Sequence, residues 1–338
     1  MVDERFDVDS ICIDFLSEKS TIFERIKYSL SHVGFLICLN HGVSDEVIEQ
    51  AMREQRLFFE SSLEDKVQSC SRDSARRGYS ALGTENFSSL IGLNRPNDDV
   101  EKFRMGPPAR DEESSDSDAY YNSKEGRLHY FPNTYPSLQQ PAFQPVLTKY
   151  YEAMSDFSLR LLELLETSFA LPPTYFKNKM NKETSILTAN YFPDNKEATA
   201  VVRIADHVDI SMLTIVCQSA AGLEILMRDE KWFEIPFLPN ALIVNIGDCL
   251  QDWSSGLLRS TRHRVRLYPD IGASVRMRLS LAFFLSPNYD VDMDWPGSSA
   301  PSVVDLNDEL ATHIIDRAMT YSQWRQQRIK RAMKKSSS

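Results

Sequence analysis

Ile186-Leu-Thr-Ala-Asn-Tyr-Phe192, Met212-Leu-Thr-Ile-Val-Cys217, Leu223-Glu-Ile-Leu-Met227, Trp232-Phe-Glu-Ile235, Ala241-Leu-Ile-Val-Asn-Ile246, His263-Arg-Val-Arg-Leu267 and Arg278-Leu-Ser-Leu-Ala-Phe-Phe-Leu285 are seven short runs rich in aliphatic and aromatic residues. Turn-forming residues stand between them, so each reads as a strand closed by a turn. Strands of this length and spacing predict a double-sheet jelly roll or barrel from about Thr184 to Pro287.

The flanks have a different texture. Ile22, Phe23, Ile26, Leu30 and Val33 recur at helical spacing after Thr21, a candidate N-cap, and Gly34 follows as a stop. Phe35–Leu39 is a short apolar strand closed by Asn40-His41-Gly42. Helices are predicted from about Asp45 to Phe59 and from about Ala142 to Phe169, where Pro172-Pro173 ends the second. The acidic, serine-rich stretch between Pro107 and Gly126 reads as a surface loop. Helical periodicity returns from about Leu306 to Lys335. The fold class is therefore α+β with a mostly β core, a helical N-terminal portion and a C-terminal helix. The expected organisation is a mainly helical region at 1–183, a core at 184–290 and a helix and tail at 291–338, forming one unit.

Composition bounds the chemistry. With 42% hydrophobic residues in 338, the chain can build a core without disulfide staples. Its five cysteines are scattered and lack metal-type spacing, which predicts free thiols in a reducing, cytoplasmic setting. No apolar run is long enough for a membrane span, and the acidic start, Met1 to Asp7, has no signal-peptide character. The net charge of -10 disfavours a nucleic-acid partner, since a phosphate backbone is repelled by the average field. The six basic residues between Arg325 and Lys335 read as a solvated helix end.

The chain has six histidines. His207 and Asp209 form an H-x-D pair just before a predicted strand, and in extended backbone residues i and i+2 share a face. Two histidines and one carboxylate with open positions make the facial arrangement of non-haem Fe(II) oxygenases. His263, opening another predicted strand, is the candidate third corner. His32, His41, His129 and His313 lack partners at ligand spacing and read as structural.

The stretch from Asn190 to Pro287 resembles the Fe(II)/2-oxoglutarate-dependent dioxygenases of the isopenicillin N synthase-like group. The resemblance rests on Asn190-Tyr-Phe-Pro193, His207-Val-Asp209, Gly222-Leu-Glu-Ile225, Trp232, Pro239–Asp248, Arg259-Ser-Thr-Arg-His-Arg-Val265 and Arg278-Leu-Ser280, with Gly34–Gly42 and Arg77-Gly-Tyr79 upstream. It implies a double-stranded β-helix holding one catalytic iron. His207, Asp209 and His263 become the metal ligands and catalytic residues, while Arg278 and Ser280, with Asn190, become the 2-oxoglutarate-binding set. A guanidinium fork grips a carboxylate bidentately, which suits Arg278 to that role. Many relatives carry tyrosine where Phe192 stands, so the cosubstrate site departs from the pattern there. Asp248 reads as a turn carboxylate or as a group that orients a ligand.

The implied activity is oxidation, in the commonest outcome hydroxylation, of a small organic molecule by Fe(II), 2-oxoglutarate and dioxygen, with 2-oxoglutarate decarboxylated to succinate. Arg76, Arg77, Tyr79, Arg104 and Thr188 are candidates for touching the substrate, Arg104 foremost for an acidic group. A monomer or weak homo-oligomer is expected, with neither membrane nor nucleic acid as partner. Two alternatives remain at this point. One is an oxidase of the isopenicillin N synthase or aminocyclopropane-carboxylate oxidase type that does not consume 2-oxoglutarate. The other is a binding protein on a catalytically retired jelly roll.

Overall fold

Alternation within the strands decides which way each sheet faces. In Arg278–Leu285, the residues Leu279, Leu281, Phe283 and Leu285 are buried in the main apolar cluster, while Arg278, Ser280 and Ala282 point the other way. The computed structural model describes residues 6–70, 76–93, 95–108, 119–136, 140–194, 202–266, 277–296 and 319–336. Among these, twelve strands form two sheets. The larger runs in the order β1 (Cys12–Asp14), β2 (Phe35–Leu39), β10 (Leu242–Ile246), β7 (Leu213–Gln218), β12 (Arg278–Leu285), β5 (Ile186–Phe192), β4 (Glu101–Met105), β3 (Gly78–Ser80). The smaller contains β6 (Val202–His207), β11 (His263–Arg266), β8 (Leu223–Leu226) and β9 (Trp232–Glu234), in that order. All neighbours pair antiparallel except β1 and β2.

The outer face of the larger sheet is covered by helices α1 (Lys19–His32), α2 (Asp45–Phe59) and α3 (Phe143–Ser168). Tyr150, Tyr151, Met154, Phe157 and Leu161 of α3 are fully buried in the cluster that also takes in Leu281 and Phe283. The Tyr151 ring meets Phe283 edge-on at 5.0 Å. At about 1.5–3 kcal/mol for each large side chain removed from water, this layer is the main anchor of the sheet. Its opposite face is thereby left free for polar residues.

Helices 45–59 and 143–168 and the strands at 186–192 and 278–285 fall where periodicity placed them. Other details differ. Helix α1 begins at Lys19 with Glu18 at the N-cap, so Thr21 lies inside its first turn and is no cap. Tertiary pairing also makes strands of Cys12–Asp14, Gly78–Ser80 and Glu101–Met105, which are too short to announce themselves. The N-terminal region thus supplies four of the eight strands of the larger sheet. Gly34 ends α1 in a left-handed conformation (φ 78°), and a Cβ there would lie 2.1 Å from the Arg259 carbonyl oxygen.

Two further helices matter below: α4 (Asp248–Trp253), which follows β10, and α5 (Tyr321–Ser336) near the C-terminus. Arg328 of α5 donates to the Asp248 carboxylate at 2.8 Å, and Trp324 Nε1 donates to Asp252 at 2.9 Å. The residues predicted to start this helix, from Leu306, and His313 lie outside the described residues. The five cysteines are free thiols, with Cys38, Cys217 and Cys249 buried and Cys12 only half-buried. No described helix is long and apolar enough to cross a membrane.

Candidate active site

His207 closes β6 and His263 opens β11, and the two strands pair with these residues directly opposite each other. Opposed residues of an antiparallel pair share a face, so the two imidazoles are brought together, with ring centroids 4.3 Å apart. Asp209 lies just past the end of β6, before β7, so the H-x-D pair sits at a strand end. Its Oδ1 approaches His207 Nε2 at 3.7 Å and His263 Nε2 at 3.8 Å. The three ligand-capable atoms lie within 4.8 Å of one another, and all three residues are buried.

What surrounds these atoms fixes their orientation. His207 Nδ1 donates to the Ala205 carbonyl at 2.8 Å and His263 Nδ1 to the Thr261 carbonyl at 3.0 Å. A carbonyl only accepts, so both rings carry a proton on Nδ1 and turn Nε2 toward Asp209. Asp209 Oδ2 accepts from Thr214 Oγ1 at 2.5 Å and from Asn245 Nδ2 at 2.9 Å, leaving Oδ1 toward the histidines. Burial, then the neighbouring His263, lowers the pKa of His207. For Asp209, burial works to raise the pKa, but His263, His207 and the two hydrogen bonds outweigh it and leave the carboxyl below its ordinary range. Two imidazoles and an ionised carboxylate at separations too long for hydrogen bonds form a donor set suited to a divalent transition metal.

The backbone carrying Asp209 is clamped from β10. The Asp248 N–H donates to the Asp209 carbonyl at 2.7 Å, and Gly247 N–H to the Met212 carbonyl at 3.0 Å. A Cβ at Gly247 would lie 2.0 Å from the Ser211 carbonyl oxygen, so this approach requires glycine. The Asp248 side chain turns away to Arg328, so it anchors α5 and does not orient a ligand atom.

The inner face of the larger sheet carries the second group. Arg278 lies opposite Phe192, and Ser280 lies opposite Asn190 on one side and Gln218 on the other. Arg278 is 7% exposed, and it donates to Gln218 Oε1 at 2.7 Å, to Ser280 Oγ at 3.3 Å and to the Ala220 carbonyl at 3.3 Å. Burial, then the neighbouring Arg203, pushes its pKa down to about 10. Among the described residues no carboxylate pairs with Arg278. A buried guanidinium without an anion is costly, and the Nε2 of Gln218 beside it is a buried donor with no acceptor. Both fit a carboxylate-bearing ligand. The Phe192 ring, which has no hydroxyl to offer, lies 5.1 Å beneath the Arg278 guanidinium and 5.7 Å from that of Arg203.

The candidates for touching substrate separate by face. Thr188 and Arg104 pair across β5 and β4 on the inner face, with the Thr188 hydroxyl buried and without a hydrogen-bond partner. Tyr79 points the opposite way: it packs on Phe58, and its hydroxyl donates to Glu101 at 2.5 Å. Arg77, before β3, shares that side, packs against Gly106 and donates to the His129 carbonyl at 3.0 Å. The period-2 geometry of β3 accounts for both, so neither joins the site. Arg76 is exposed, with φ 53°. The Arg104 guanidinium is held by both oxygens of Glu85, a residue whose part could not be foreseen from a loop position. Thr214 and Asn245 were also overlooked, although Asn245 had a visible signal as the one polar residue within Leu242–Ile246.

Residues 183–287 match the sequence pattern of the 2OG-Fe(II) oxygenase superfamily, and residues 7–136 match that of the non-haem dioxygenase in morphine synthesis N-terminal region. The chain is 31% identical over 274 residues to a 2-oxoglutarate-Fe(II) type oxidoreductase, ppzD, of Metarhizium majus, covering 77% of each protein. It is 30% identical over 296 residues to the proline hydroxylase buaE of Petromyces alliaceus, covering 83% of this chain and 87% of that one. In three dimensions it superposes with a TM-score of 0.77 on a 2OG-Fe(II) oxygenase family protein from Caulobacter crescentus, at 24% identity, over 95% of this chain and 98% of the other.

Proposed function

Because the chain belongs to the 2OG-Fe(II) oxygenase superfamily, we propose that His207, Asp209 and His263 hold its Fe(II) and that Arg278 and Ser280 hold the distal carboxylate of 2-oxoglutarate. The protein is an Fe(II)- and 2-oxoglutarate-dependent dioxygenase on a jelly-roll fold, with dioxygen as oxidant. When bound, iron and 2-oxoglutarate supply the oxidising chemistry, and the protein supplies geometry and a dry cavity. The proposed outcome is hydroxylation of a small organic molecule by a monomer or weak homo-oligomer. A small molecule suits an inner face whose polar groups are nearly all buried, and the charge of -10 suits no nucleic-acid partner.

The observation that carries this reading is the convergence of two Nε2 atoms and one Oδ1, each oriented by a bond to the far side of its own side chain. Thr261 and Ala205 hold the imidazoles, Thr214 and Asn245 hold the carboxylate, and Arg278 awaits an anion. The likeness to a 2-oxoglutarate-Fe(II) type oxidoreductase supports consumption of 2-oxoglutarate over the oxidase alternative, which would keep the same Arg278 and Ser280 pair and is separated by its failure to form succinate. The test is succinate formation from 2-oxoglutarate with Fe(II) under air, without added substrate. Wild type is expected to form succinate slowly and to bind one equivalent of metal, and His207→Ala is expected to lose both. Unchanged turnover in that variant would remove His207 from the ligand set.

A further inference from the structure

The inner face of β4 carries two cations that the oxidation chemistry does not use. Lys102 and Arg104 lie opposite Asn190 and Thr188, on the wall that also bears Ser280. Lys102 is 1% exposed. Its ammonium donates to Glu85 Oε2 at 3.0 Å and sits 3.7 Å over the Phe87 ring, whose other neighbour is the His207 ring at 5.0 Å. One aromatic ring therefore separates Lys102 from a proposed metal ligand.

Glu85 is the only carboxylate in ion-pair contact with either cation among the described residues, and it serves both. Asp98 is nearby, but its two oxygens accept from the backbone N–H groups of Phe87 at 2.7 Å and Ala205 at 3.0 Å. Burial raises the Asp98 pKa; Asp98 makes no ion pair with Lys102, although the two groups interact electrostatically. Burial also pushes Lys102 down to about 8, so it remains mostly protonated at neutral pH. Buried Lys102 and partly buried Arg104 thus share Glu85 as their ion-pair partner, beside a Thr188 hydroxyl that has no partner. Lys102 and Arg104 together offer more N–H donors than Glu85 can accept from, and the Thr188 hydroxyl can add another, so this wall suits an anionic ligand group.

We propose that Lys102, Arg104 and Thr188 form the substrate-recognition subsite and that the substrate carries a carboxylate bound there, with Glu85 holding the two cations in place. This rests on the iron and 2-oxoglutarate reading, whose own test, succinate formation by wild type without added substrate, is independent of the following experiment. The full chain, loaded with Mn(II) and saturating 2-oxoglutarate, is titrated calorimetrically with benzoate, phenylacetate, 4-phenylbutyrate and octanoate, each against its primary amide. At least one acid is expected to bind about 10-fold or more tightly than its amide, the scale of a hydrogen bond to a charged group. Lys102→Met should erase that preference, and Lys102→Arg should retain it. The proposal is overturned if no acid outbinds its amide, if a Lys102→Met protein that melts like wild type keeps the preference, or if the acids bind only when 2-oxoglutarate is left out. Should Lys102→Met fail to fold, the wild-type comparison of acids with amides decides by itself.

Discussion

Replacing Asn245 with leucine keeps nearly the same volume in β10 and removes one of the two donors to Asp209 Oδ2. The remaining donor, Thr214 Oγ1, itself accepts from Ser211 Oγ at 2.9 Å. A hydrogen bond to a buried charged group is worth about 1.5–3 kcal/mol. In the metal-free protein Asp209 can rotate or take up a proton and so recover part of that loss. A carboxylate bound to metal must stay ionised and correctly turned, so most of the deficit appears as weaker metal binding. The expected effect of Asn245→Leu is roughly a 10- to 100-fold loss of affinity, the scale seen when groups orienting a metal ligand are removed. Competition with a coloured chelator for Mn(II) or Co(II) measures it, and thermal melts of the metal-free protein separate affinity from folding. Affinity within twofold of wild type would refute the argument that Asn245 holds the ligand carboxylate in place.

Two other perturbations probe the same frame. Gly247→Ala places a methyl 2.0 Å from the Ser211 carbonyl oxygen and so displaces the segment carrying Asp209; a stability loss of about 1–3 kcal/mol or more is expected in urea denaturation, together with weakened metal binding. Asp252 offers a pH test, because burial, then repulsion from Asp248, raises its pKa from 3.8 to about 7. Between those values the folded state holds a proton that the unfolded state has released, so this group makes stability fall as pH rises from about 4 to about 7. Asp252→Asn, which can still accept from Trp324, is expected to flatten that slope in melting temperatures and to be at least as stable as wild type above pH 7; an unaltered slope would show that Asp252 does not titrate in this range.

The jelly-roll core was legible because its information is local. Strands such as Arg278–Leu285 alternate with period two, and the H-x-D pair needs only a short extended segment to bring its side chains together. His263 required more than spacing, since nothing in 53 intervening residues says that β11 will lie against β6 with the two histidines opposed. The resemblance to a known family filled that gap. Tyr79 and Arg77 mark where motif reading overreached: one register in a three-residue strand turns both toward the helices, and that register is set by pairing with β4.

By itself, the sequence determined the strand and helix periodicities, the ligand types and the acidic balance of this protein. Each follows from side-chain chemistry and neighbours a few residues apart. The tertiary structure alone decided that both Nε2 atoms face the proposed metal position, because carbonyls of Ala205 and Thr261 take the Nδ1 protons. It also decided that Glu85, from a loop, pairs with both cations of a distant strand. Burial assigns those charges their cost, and burial is a property of the packed chain.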